Sequence, residues 1–471
     1  MSMRDLLDAQ RAAFMAELPV SLDARRDRLK RAIAMISDNA DGLCDALSED
    51  FGHRSRDQSM ITDIAASVAP LRHALKHVAR WSRPARKPVL FPLGLLGGRG
   101  RIEYQPKGVV GIIAPWNFPV QLVMSPLAGV FAAGNRAMVK TSEYTPMVSA
   151  LLAALAERYF DPAELAFVGG GPEMGKAFAE MPFDHLLFTG ATGIARHILH
   201  AAADNLTPVT LELGGKSPVV LGRSADVAQA AERVALGKML NAGQICLAPD
   251  YVLVPEEQEA AVVDGLVAAA SRMYPTLLSN PDYTAVINDR HYQRLTGWID
   301  DARAKGAEVI AVNPADEDFA GANARKLPLH IIRNPTDDMM VMQEEIFGPV
   351  LPVRGYARIE DAIGEVNRRD RPLALYYFGN DRAERRQLLD RTISGGVTVN
   401  DVIFHVSQEE LPFGGIGPSG MGAYHGEIGF RTFSHAKAVY RQPRIDVAGL
   451  AGMRPPYGKA TRATVRRQMK G

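Results

Sequence analysis

The sequence has 471 residues, of which 47% are hydrophobic and 23% charged, a composition that is typical of a folded globular protein and excludes a disordered chain. Its 54 lysines and arginines nearly balance its 53 aspartates and glutamates, so the net charge of +1 provides no general attraction for nucleic acid. Two cysteines exclude both a disulfide framework and a multi-cysteine metal site.

Neither an export signal nor a membrane span is expected. The first six residues include Arg4 and Asp5 and lack an apolar core. No stretch reaches the ~18 apolar residues that a membrane span needs. The two free thiols then favour a reducing, cytoplasmic location.

Residues 1–80 have the apolar spacing of helices, with hydrophobic residues recurring at three- and four-residue steps. Pro70 falls inside this pattern and predicts a kink or a split. The segment 84–100 is rich in Pro and Gly, which predicts a linker or an extended arm. Apolar positions of the helical pattern are Leu29, Ile33, Ile36, Leu43, Leu47, Ile61, Ile64, Val68, Leu71, Leu75 and Val78.

From residue 101 onwards, short apolar strands alternate with helices, which implies parallel sheets covered by helices. The sequence therefore predicts an α/β fold of two units in series, joined at Glu212–Lys216. The end of the chain, 454–470, carries six basic residues and no acidic one. We expect a solvated, mobile tail there, with a weak contact to an anionic membrane as the alternative. Predicted strands lie at 109–114, 137–140, 165–169, 185–189, 209–213, 251–254, 309–311, 350–353 and 374–378, and predicted helices at 121–133, 145–159, 225–240, 258–273 and 358–367.

Two polar segments follow predicted strands of the first unit. Asn117 lies in the loop Ala114–Pro119, where flanking prolines favour a preorganised amide donor over a simple Asx turn. Lys140 and Glu143 follow the next strand, where a cation and a carboxylate suit a ribose diol. A plain surface ion pair is the alternative for these two residues.

A glycine turn at Gly190 joins a strand to a helix start, where backbone amides suit a phosphate group. An ordinary turn is the alternative, since the usual dinucleotide fingerprint is absent. Glu212 ends an apolar strand, where burial would raise the pKa of its carboxyl and make it a usable base. A structural acid paired with Lys216 is the alternative.

Cys246 stands in the run Asn241–Cys246, where the thiol is either a buried spectator or a nucleophile. The carboxylate, amide and glycine turns upstream favour the nucleophile, and backbone amides could favour its thiolate. The later turn Glu344–Pro349 carries paired acids and an aromatic ring, unless it is simply a solvated turn. We interpret the glycine-rich run Leu411–Gly420 as structural.

Taken together, these segments resemble the NAD(P)-dependent aldehyde dehydrogenase superfamily, in the same order and rough spacing from about residue 101 to 437. The runs Asn400–Ile403 and Ser419–Gly426 resemble its class 3 branch. Arg101–Pro106 and Pro455–Lys459 are most similar to coniferyl aldehyde dehydrogenases.

The resemblance implies a reaction at three residues. Cys246 would attack the aldehyde carbon, and Asn117 with the Cys246 backbone N–H would hold the oxyanion. Hydride would leave to the nicotinamide, and Glu212 would activate the water that hydrolyses the thioester. Cofactor residues implied by the resemblance are Lys140 and Glu143 at the adenosine ribose, Gly190 at the pyrophosphate, Glu345 at the nicotinamide ribose and Phe347 near the nicotinamide ring.

The resemblance also implies an aldehyde dehydrogenase-like fold, with a Rossmann-like NAD-binding domain, an α/β catalytic domain and a bridging hairpin, and it implies a homodimer. Two departures from the family pattern are Ala195 in place of glycine and Thr141 in place of proline. Ala195 makes pyrophosphate binding less certain than the reaction. The implied ranges are 1–84 and 104–213 for NAD binding, 214–395 for catalysis, 85–103 and 396–440 for bridging, and 441–471 for the tail.

NAD is the expected cofactor, because a carboxylate at Glu143 would repel the 2′-phosphate of NADP, which stays an alternative. The expected substrate is an aromatic hydroxycinnamyl aldehyde such as coniferyl aldehyde, or a medium-chain aliphatic one. A CoA-acylating semialdehyde dehydrogenase and a catalytically retired NAD-binding scaffold are the other hypotheses. No metal site is expected, since no acid lies in sequence beside His73 and His77, and His405 and His425 are interpreted as packing or hydrogen-bonded residues.

Overall fold

The computed structural model describes residues 2–91, 93–322 and 324–470. Met1, Pro92, Asn323 and Gly471, which fall within the predicted domain ranges, lie outside the described residues. The N-terminal part is helical, as the apolar spacing predicts. Its α-helices are α1 (Met3–Glu17), α2 (Leu22–Ser37), α3 (Ala40–Phe51), α4 (Arg56–Ser59) and α5 (Ala66–Trp81).

Helix α5 continues through Pro70, so the predicted kink is wrong in position. The irregularity lies one turn earlier, in a π-helical segment at Met60–Ala65. A wider π turn shifts the register of the side chains that follow it. Ile61, which the spacing placed on the apolar face, is consequently 69% exposed, whereas Leu71 and Val78 are buried.

A six-stranded sheet follows, in the order β15-β7-β6-β3-β4-β5. All strands except β15 are parallel, which confirms the predicted alternation of strands and helices. Its strands are β3 (Val109–Ile113), β4 (Arg136–Lys140), β5 (Leu165–Val168), β6 (His185–Gly190), β7 (Val209–Leu213) and β15 (Gly420–Met421), with helices α6 (Gln121–Ala133), α7 (Pro146–Tyr159), α8 (Pro172–Ala179) and α9 (Thr192–Asp204).

A seven-stranded sheet, in the order β10-β11-β12-β9-β8-β13-β14, forms the second α/β unit. Only the pair β10–β11 is antiparallel. Its strands are β8 (Pro218–Leu221), β9 (Tyr251–Pro255), β10 (Glu308–Val312), β11 (Leu329–Arg333), β12 (Val350–Tyr356), β13 (Ala374–Phe378) and β14 (Gly396–Val399), with helices α10 (Val227–Met239), α11 (Glu259–Met273), α12 (Asp289–Ala304), α13 (Met340–Gln343), α14 (Ile359–Arg368) and α15 (Arg382–Arg391).

A small antiparallel sheet of β1 (Ala85–Lys87), β2 (Arg99–Pro106) and β16 (Ser434–Arg441) contains the predicted bridging arm. The predicted bridging range 396–440 is divided, because β14 joins the seven-stranded sheet and β15 the six-stranded one. The basic end is exposed but not irregular. The helices of this last part are α16 (Gly426–Thr432), α17 (Val447–Leu450) and α18 (Lys459–Met469).

The two large sheets are joined directly, since β7 ends at Leu213 and β8 begins at Pro218. One apolar core extends from the N-terminal helices through strands of both sheets. Among the helices of the described residues, none combines the length and apolar character that crossing a membrane would require.

Candidate active site

Four of the predicted site residues lie at one edge of the six-stranded sheet. Strands β3, β4, β6 and β7 are parallel, so their carboxyl ends meet at that edge. Lys140 ends β4, Gly190 ends β6 and Glu212 is the penultimate residue of β7. Asn117 follows β3 in the loop that leads into α6. Side chains that are distant in the sequence are thereby brought to one place.

Cys246 follows a strained turn at the end of α10. Asn241, Ala242 and Gly243 have positive φ angles of 50°, 51° and 73°. The left-handed conformation costs a residue that carries a Cβ roughly 1–2 kcal/mol. A side chain at Gly243 would also overlap the carbonyl of Gly348, so this position requires glycine. Surrounding contacts must therefore hold the turn in place.

A network of buried amides holds this turn. The backbone N–H of Asn241 donates to Gln58 Oε1 (2.9 Å), and Gln244 Nε2 donates to the Asn241 carbonyl (2.9 Å). The backbone N–H of Ile287 donates in turn to Gln244 Oε1 (2.9 Å). Gln58, Asn241 and Gln244 are all buried. The cysteine loop is thus fixed from two other parts of the chain.

Asn117 lies against the same loop. Its Nδ2 donates to the Gln244 carbonyl (3.1 Å), and Asn241 Nδ2 donates to the Asn117 carbonyl (3.2 Å). These contacts span more than a hundred residues of sequence and are not the local bonds of an Asx turn. The structure therefore places a buried amide donor beside the segment that carries Cys246.

A buried ion pair stabilises the loop that carries Asn117. Arg54 Nη2 lies 2.6 Å from Asp63 Oδ2, and both side chains have an exposure of 0%. Asp63 Oδ1 accepts hydrogen bonds from the backbone N–H groups of Val120 (3.1 Å) and Gln121 (3.2 Å). The Arg54 guanidinium also lies over the Phe118 ring. Asp63 thus caps α6 immediately after Asn117.

Glu212 is buried, at 1% exposure, and neither of its carboxyl oxygens has a hydrogen-bond partner among the described residues. Burial, and secondly the nearby Glu345 carboxylate, raise the pKa of Glu212 to about 8. Lys216 does not neutralise it, because its ammonium bonds the Asp250 carboxylate and the Val341 carbonyl (2.7 Å). The paired structural acid considered from the sequence is therefore excluded by the geometry.

The Cys246 thiol lies in a setting that disfavours its thiolate. Burial raises the pKa of Cys246 well above its ordinary value, and the carboxylates of Glu212 and Glu345 raise it further. The backbone N–H groups of Cys246 and Leu247 act in the opposite direction with smaller effect. The backbone amides therefore favour the thiolate as expected, but burial and the two carboxylates outweigh them, so the thiol needs a proton acceptor nearby.

Glu345 and Phe347 lie on one turn, which is the last of the predicted site segments. A side chain at Gly214 would overlap the Glu345 carboxylate, which lies against the residues that follow Glu212. Burial, and secondly the charge of Asp250, raise the pKa of Glu345 to about 8. The Phe347 ring packs edge-on against Trp116, with ring centroids 5.3 Å apart.

Known proteins share this arrangement of sheets and segments. The family model described as "Aldehyde dehydrogenase family" matches residues 2–439. The chain belongs to the aldehyde dehydrogenase family. It is 55% identical to the coniferyl aldehyde dehydrogenase of a Pseudomonas species, over 96% of this chain and 93% of the relative.

Two further matches extend the comparison. The dimeric NADP-preferring aldehyde dehydrogenase of Rattus norvegicus is 37% identical, over 97% of this chain and 98% of the relative. The substrate-bound structure of Staphylococcus aureus AldH superposes with a TM-score of 0.92 at 33% identity, and the match covers 100% of both chains. The α/β fold predicted from the sequence is thus confirmed as an aldehyde dehydrogenase fold, and the protein is an NAD(P)-dependent oxidoreductase.

In this aldehyde dehydrogenase, the remaining predicted cofactor residues surround the ends of β4 and β6. The buried Lys140 ammonium donates to the Thr141 carbonyl, and burial lowers the pKa of Lys140. Among the described residues, the exposed Glu143 acts on Lys140 only through its charge and not through a hydrogen bond, so the surface ion pair does not form between them. Gly190 precedes α9, whose N-cap Ala191 offers no side-chain bond to the first helical N–H groups. Free N–H groups and an exposed carboxylate fit a dinucleotide's phosphates and hydroxyls.

Ala195 lies in the first turn of α9 and is buried at 2% exposure. Its methyl group belongs to the apolar cluster that also contains Phe188 and Ile198, so the alanine is part of the packing beneath α9.

Sequence reasoning missed the residues that support the site. Gln58 and Arg54 give no local signal, because their partners lie elsewhere in the chain. Asp63, a lone acid between Ile61 and Ile64, could have been identified as a buried charge needing a partner. Lys238 was also missed: it is fully buried, its Nζ has no partner among the described residues, and burial lowers its pKa to about 8.

The histidines differ from expectation in one way. An acid does lie beside His73, because Glu410 Oε1 is 3.2 Å from His73 Nε2, with His77 also close enough to share an ion. Arg80 lies 4.0 Å from the same carboxylate, and its positive charge opposes a cation there. His405 Nδ1 is hydrogen-bonded to Thr398, as interpreted, whereas His425 packs but has no hydrogen-bond partner within the described ranges.

Proposed function

We propose that this aldehyde dehydrogenase oxidises a hydroxycinnamyl aldehyde such as coniferyl aldehyde to the carboxylic acid, through a covalent adduct on Cys246. The observation that carries the mechanism is Glu212: a buried carboxyl without a hydrogen-bond partner among the described residues, close enough to Cys246 to perturb its pKa. Support for the substrate comes from the Pseudomonas relative, which is named for coniferyl aldehyde.

The thiol of Cys246 gives up its proton and its sulfur attacks the aldehyde carbon, forming a thiohemiacetal. Glu212 is the nearby base for that proton, since a pKa of about 8 keeps it useful near neutral pH. The oxygen that gains negative charge is held by the Asn117 amide and the Cys246 backbone N–H. The strained turn before Cys246 keeps these donors fixed.

A bound NAD(P)+ would supply the acceptor for the hydride that leaves the thiohemiacetal carbon, and a thioester on Cys246 would remain. Glu212 releases the thiol proton to solvent and then removes a proton from water, and the resulting hydroxide equivalent attacks the thioester carbon. Cys246 leaves as the thiolate and the acid is released. The same carboxyl therefore acts twice, and its lack of a neutralising partner is what allows it to do so.

NAD is the proposed cofactor. The exposed Glu143 carboxylate can accept hydrogen bonds from ribose hydroxyls and repels a 2′-phosphate. Lys140 would contribute to the same ribose, Glu345 would bind the nicotinamide ribose, and Phe347 would pack beside the ring. Gly190 and the start of α9 would bind the pyrophosphate. NADP is the alternative, since one relative is named NADP-preferring.

Neither competing function has an observation in its favour. A CoA-acylating enzyme does not need a water-activating base, and Glu212 would then be a buried carboxylate without a purpose. A retired scaffold would not be expected to retain two buried carboxyls whose pKa values are both raised to about 8.

The proposal extends to the roles of the domains and to the assembly of the subunits. The six-stranded sheet with the N-terminal helices would bind the dinucleotide, and the seven-stranded unit would carry the nucleophile. The small antiparallel sheet would pair two subunits in a homodimer, because Leu90, Phe91 and Leu95 beside it are about four-fifths exposed. The free thiols of Cys44 and Cys246 suit a cytoplasmic location.

The test is NADH formation by the purified protein with a panel of aldehydes, with and without CoA and with NADP in place of NAD. We expect turnover without CoA, with the highest kcat/KM for hydroxycinnamyl aldehydes. Strict dependence on CoA would overturn the hydrolytic mechanism, and a preference for aliphatic aldehydes would overturn the substrate.

A further inference from the structure

Two histidines lie one turn apart on the same face of α5. His73 and His77 are four residues apart, a spacing that makes side chains neighbours on a helix surface. Their rings are in contact, with centroids 4.3 Å apart, and each ring centroid lies 5.7 Å from the Trp81 ring. This is the spacing at which two histidines of one helix bind the same metal ion.

Glu410 brings a carboxylate to this pair from the segment 404–411. One ligand atom from each of His73, His77 and Glu410 lies within 4.8 Å of the other two. Glu410 Oε1 is 3.2 Å from His73 Nε2, yet Nε2 is buried without a hydrogen-bond partner among the described residues. Ligand atoms about 2.0–2.2 Å from a tetrahedral ion lie roughly 3.4 Å from one another, so the two atoms are spaced like two ligands of one ion.

The tautomer of His77 is set by its own helix. Its Nδ1 lies 3.0 Å from the His73 carbonyl oxygen, which can only accept a hydrogen bond, so Nδ1 carries the proton. Nε2 then has the lone pair that a metal ion needs. A backbone carbonyl is a usual second partner of a metal-bound histidine, because it fixes the orientation of the ring.

Arg80 is the cation that opposes an ion at this place, and it is weakly held. Its Nη2 lies 4.0 Å from Glu410 Oε1 and 3.8 Å from Glu427 Oε2, and its side chain is 60% exposed. Both separations are too long for hydrogen bonds, and exposed ion pairs contribute little. A divalent ion would displace the guanidinium from Glu410 and leave it beside Glu427.

We propose that His73, His77 and Glu410 bind one divalent transition-metal ion of the zinc type, with water as its fourth ligand. Imidazole nitrogen and carboxylate oxygen are ligands for zinc, whereas calcium and magnesium prefer oxygen alone. The site is separate from the proposed oxidation, in which none of these three residues takes part.

The ion would join parts of the chain that are distant in the sequence. A side chain at Gly426 would overlap the Glu409 carbonyl and lie 3.5 Å from His73 Nε2, so α5, α16 and the segment 404–411 converge there. A side chain at Gly237 would overlap Val402, so the chain just before that segment packs on α10. The ion is thus a structural cross-link, and by binding only the folded protein it stabilises the fold.

The experiment titrates Co²⁺, a visible substitute for Zn²⁺, into the untagged full chain carrying Cys246→Ala, so that the reactive thiol cannot bind the metal. We expect one ion per chain, the d–d absorption of a tetrahedral ion without a thiolate charge-transfer band, and release of the Co²⁺ by Zn²⁺. The melting temperature should rise with metal concentration.

Variants of this Cys246→Ala parent test the ligands. Glu410→Gln, at a side chain that is 62% exposed, should weaken binding by about tenfold or more, since even the outer partners of metal ligands contribute that much. His77→Asn should have the same effect. Arg80→Ala should strengthen binding, because it removes the opposing charge. The matched control is His200→Asn, an exposed histidine of α9, which should bind as the parent does.

Two results would overturn the proposal. Equal affinity in the parent, Glu410→Gln and His77→Asn would mean that the ion binds elsewhere. No saturable binding in either the parent or Arg80→Ala would mean that the three side chains are a packed cluster without an ion. The melting temperature of each variant in a chelator shows whether the substitution alone has changed the fold.

Discussion

Asp63 and Glu212 are both fully buried carboxyls near the active site, and their surroundings are opposite. Asp63 has the guanidinium of Arg54 and two backbone N–H groups within hydrogen-bond distance. Glu212 has no such partner among the described residues, and Glu345 adds a like charge nearby. The partners of Asp63 hold its carboxylate in a structural role, whereas Glu212 has no hydrogen bond to lose among the described residues and can exchange protons.

The largest expected effect comes from removing the uncompensated acid. Glu212→Gln should lower steady-state turnover by roughly 10²–10⁴-fold, the usual range for a general base, because water attack on the thioester is no longer assisted. A burst of one NADH per active site, measured by stopped-flow absorbance, should persist but form more slowly, because Glu212 also accepts the proton of the Cys246 thiol. Cys246→Ala is the control and should show neither burst nor turnover; unchanged turnover in Glu212→Gln would remove the base role.

Breaking the compensated pair should act on stability first. Arg54→Met leaves Asp63 buried and unpaired, and the free energy of unfolding should fall by about 3–5 kcal/mol. Denaturant titration followed by fluorescence measures this change. The double variant Arg54→Met with Asp63→Asn should recover much of the loss, since the neutral amide removes the unpaired charge and its Oδ1 can still accept from the N–H groups of Val120 and Gln121. Equal instability of the two variants would contradict an electrostatic origin.

The pH dependence of stability tests the raised pKa of Glu212. The pKa of Glu212 is raised from 4.5 to about 8 in the folded state, so the folded protein binds this proton more tightly than the unfolded chain. Glu212 therefore lowers the free energy of unfolding as pH rises from about 4.5 to about 8. Glu212→Gln should match wild type near pH 5 and become the more stable protein near pH 8, compared by denaturant titration across this range. A constant difference between the two proteins would show that Glu212 ionises normally.

The smallest effect is expected for the support of the cysteine loop. Gln58→Leu keeps the size of the side chain but removes the acceptor of the Asn241 N–H. A cost of about 1–3 kcal/mol is expected for the unpaired group, with a lowered kcat because the turn before Cys246 loosens. Asp57→Asn, one residue away and exposed, is the control for both measurements. If Gln58→Leu lost stability but kept its kcat, the amide network would stabilise the fold without positioning Cys246.

Residues with local signals could be identified from the sequence. Glu212 follows an apolar strand and Cys246 follows a glycine turn, so both stand out within a few residues of context. Residues whose roles depend on distant partners could not be identified from the sequence. Gln58 is hydrogen-bonded to a loop 183 residues away, and nothing in the sequence around it indicates this. The assignment of 396–440 to one bridging segment failed for the same reason, since pairing of β14 and β15 depends on partners elsewhere.

His425 shows a different limit of prediction from the sequence. The sequence supports a packed histidine, and the ring does pack on Phe413. Whether its nitrogens are satisfied depends on groups contributed by α6 and by Glu409, which only the three-dimensional arrangement brings together.

The pairing of Gly420 with Glu212 has a consequence for synthesis on the ribosome. The strand that carries Glu212 is completed by residues translated more than two hundred positions later, as β2 is by β16. A nascent chain therefore exposes the edge of the first sheet throughout translation of the second unit. Such late long-range pairing slows folding and leaves an open strand edge that invites aggregation. Chaperone demand during expression should depend on the segment 420–441 more than its small size suggests.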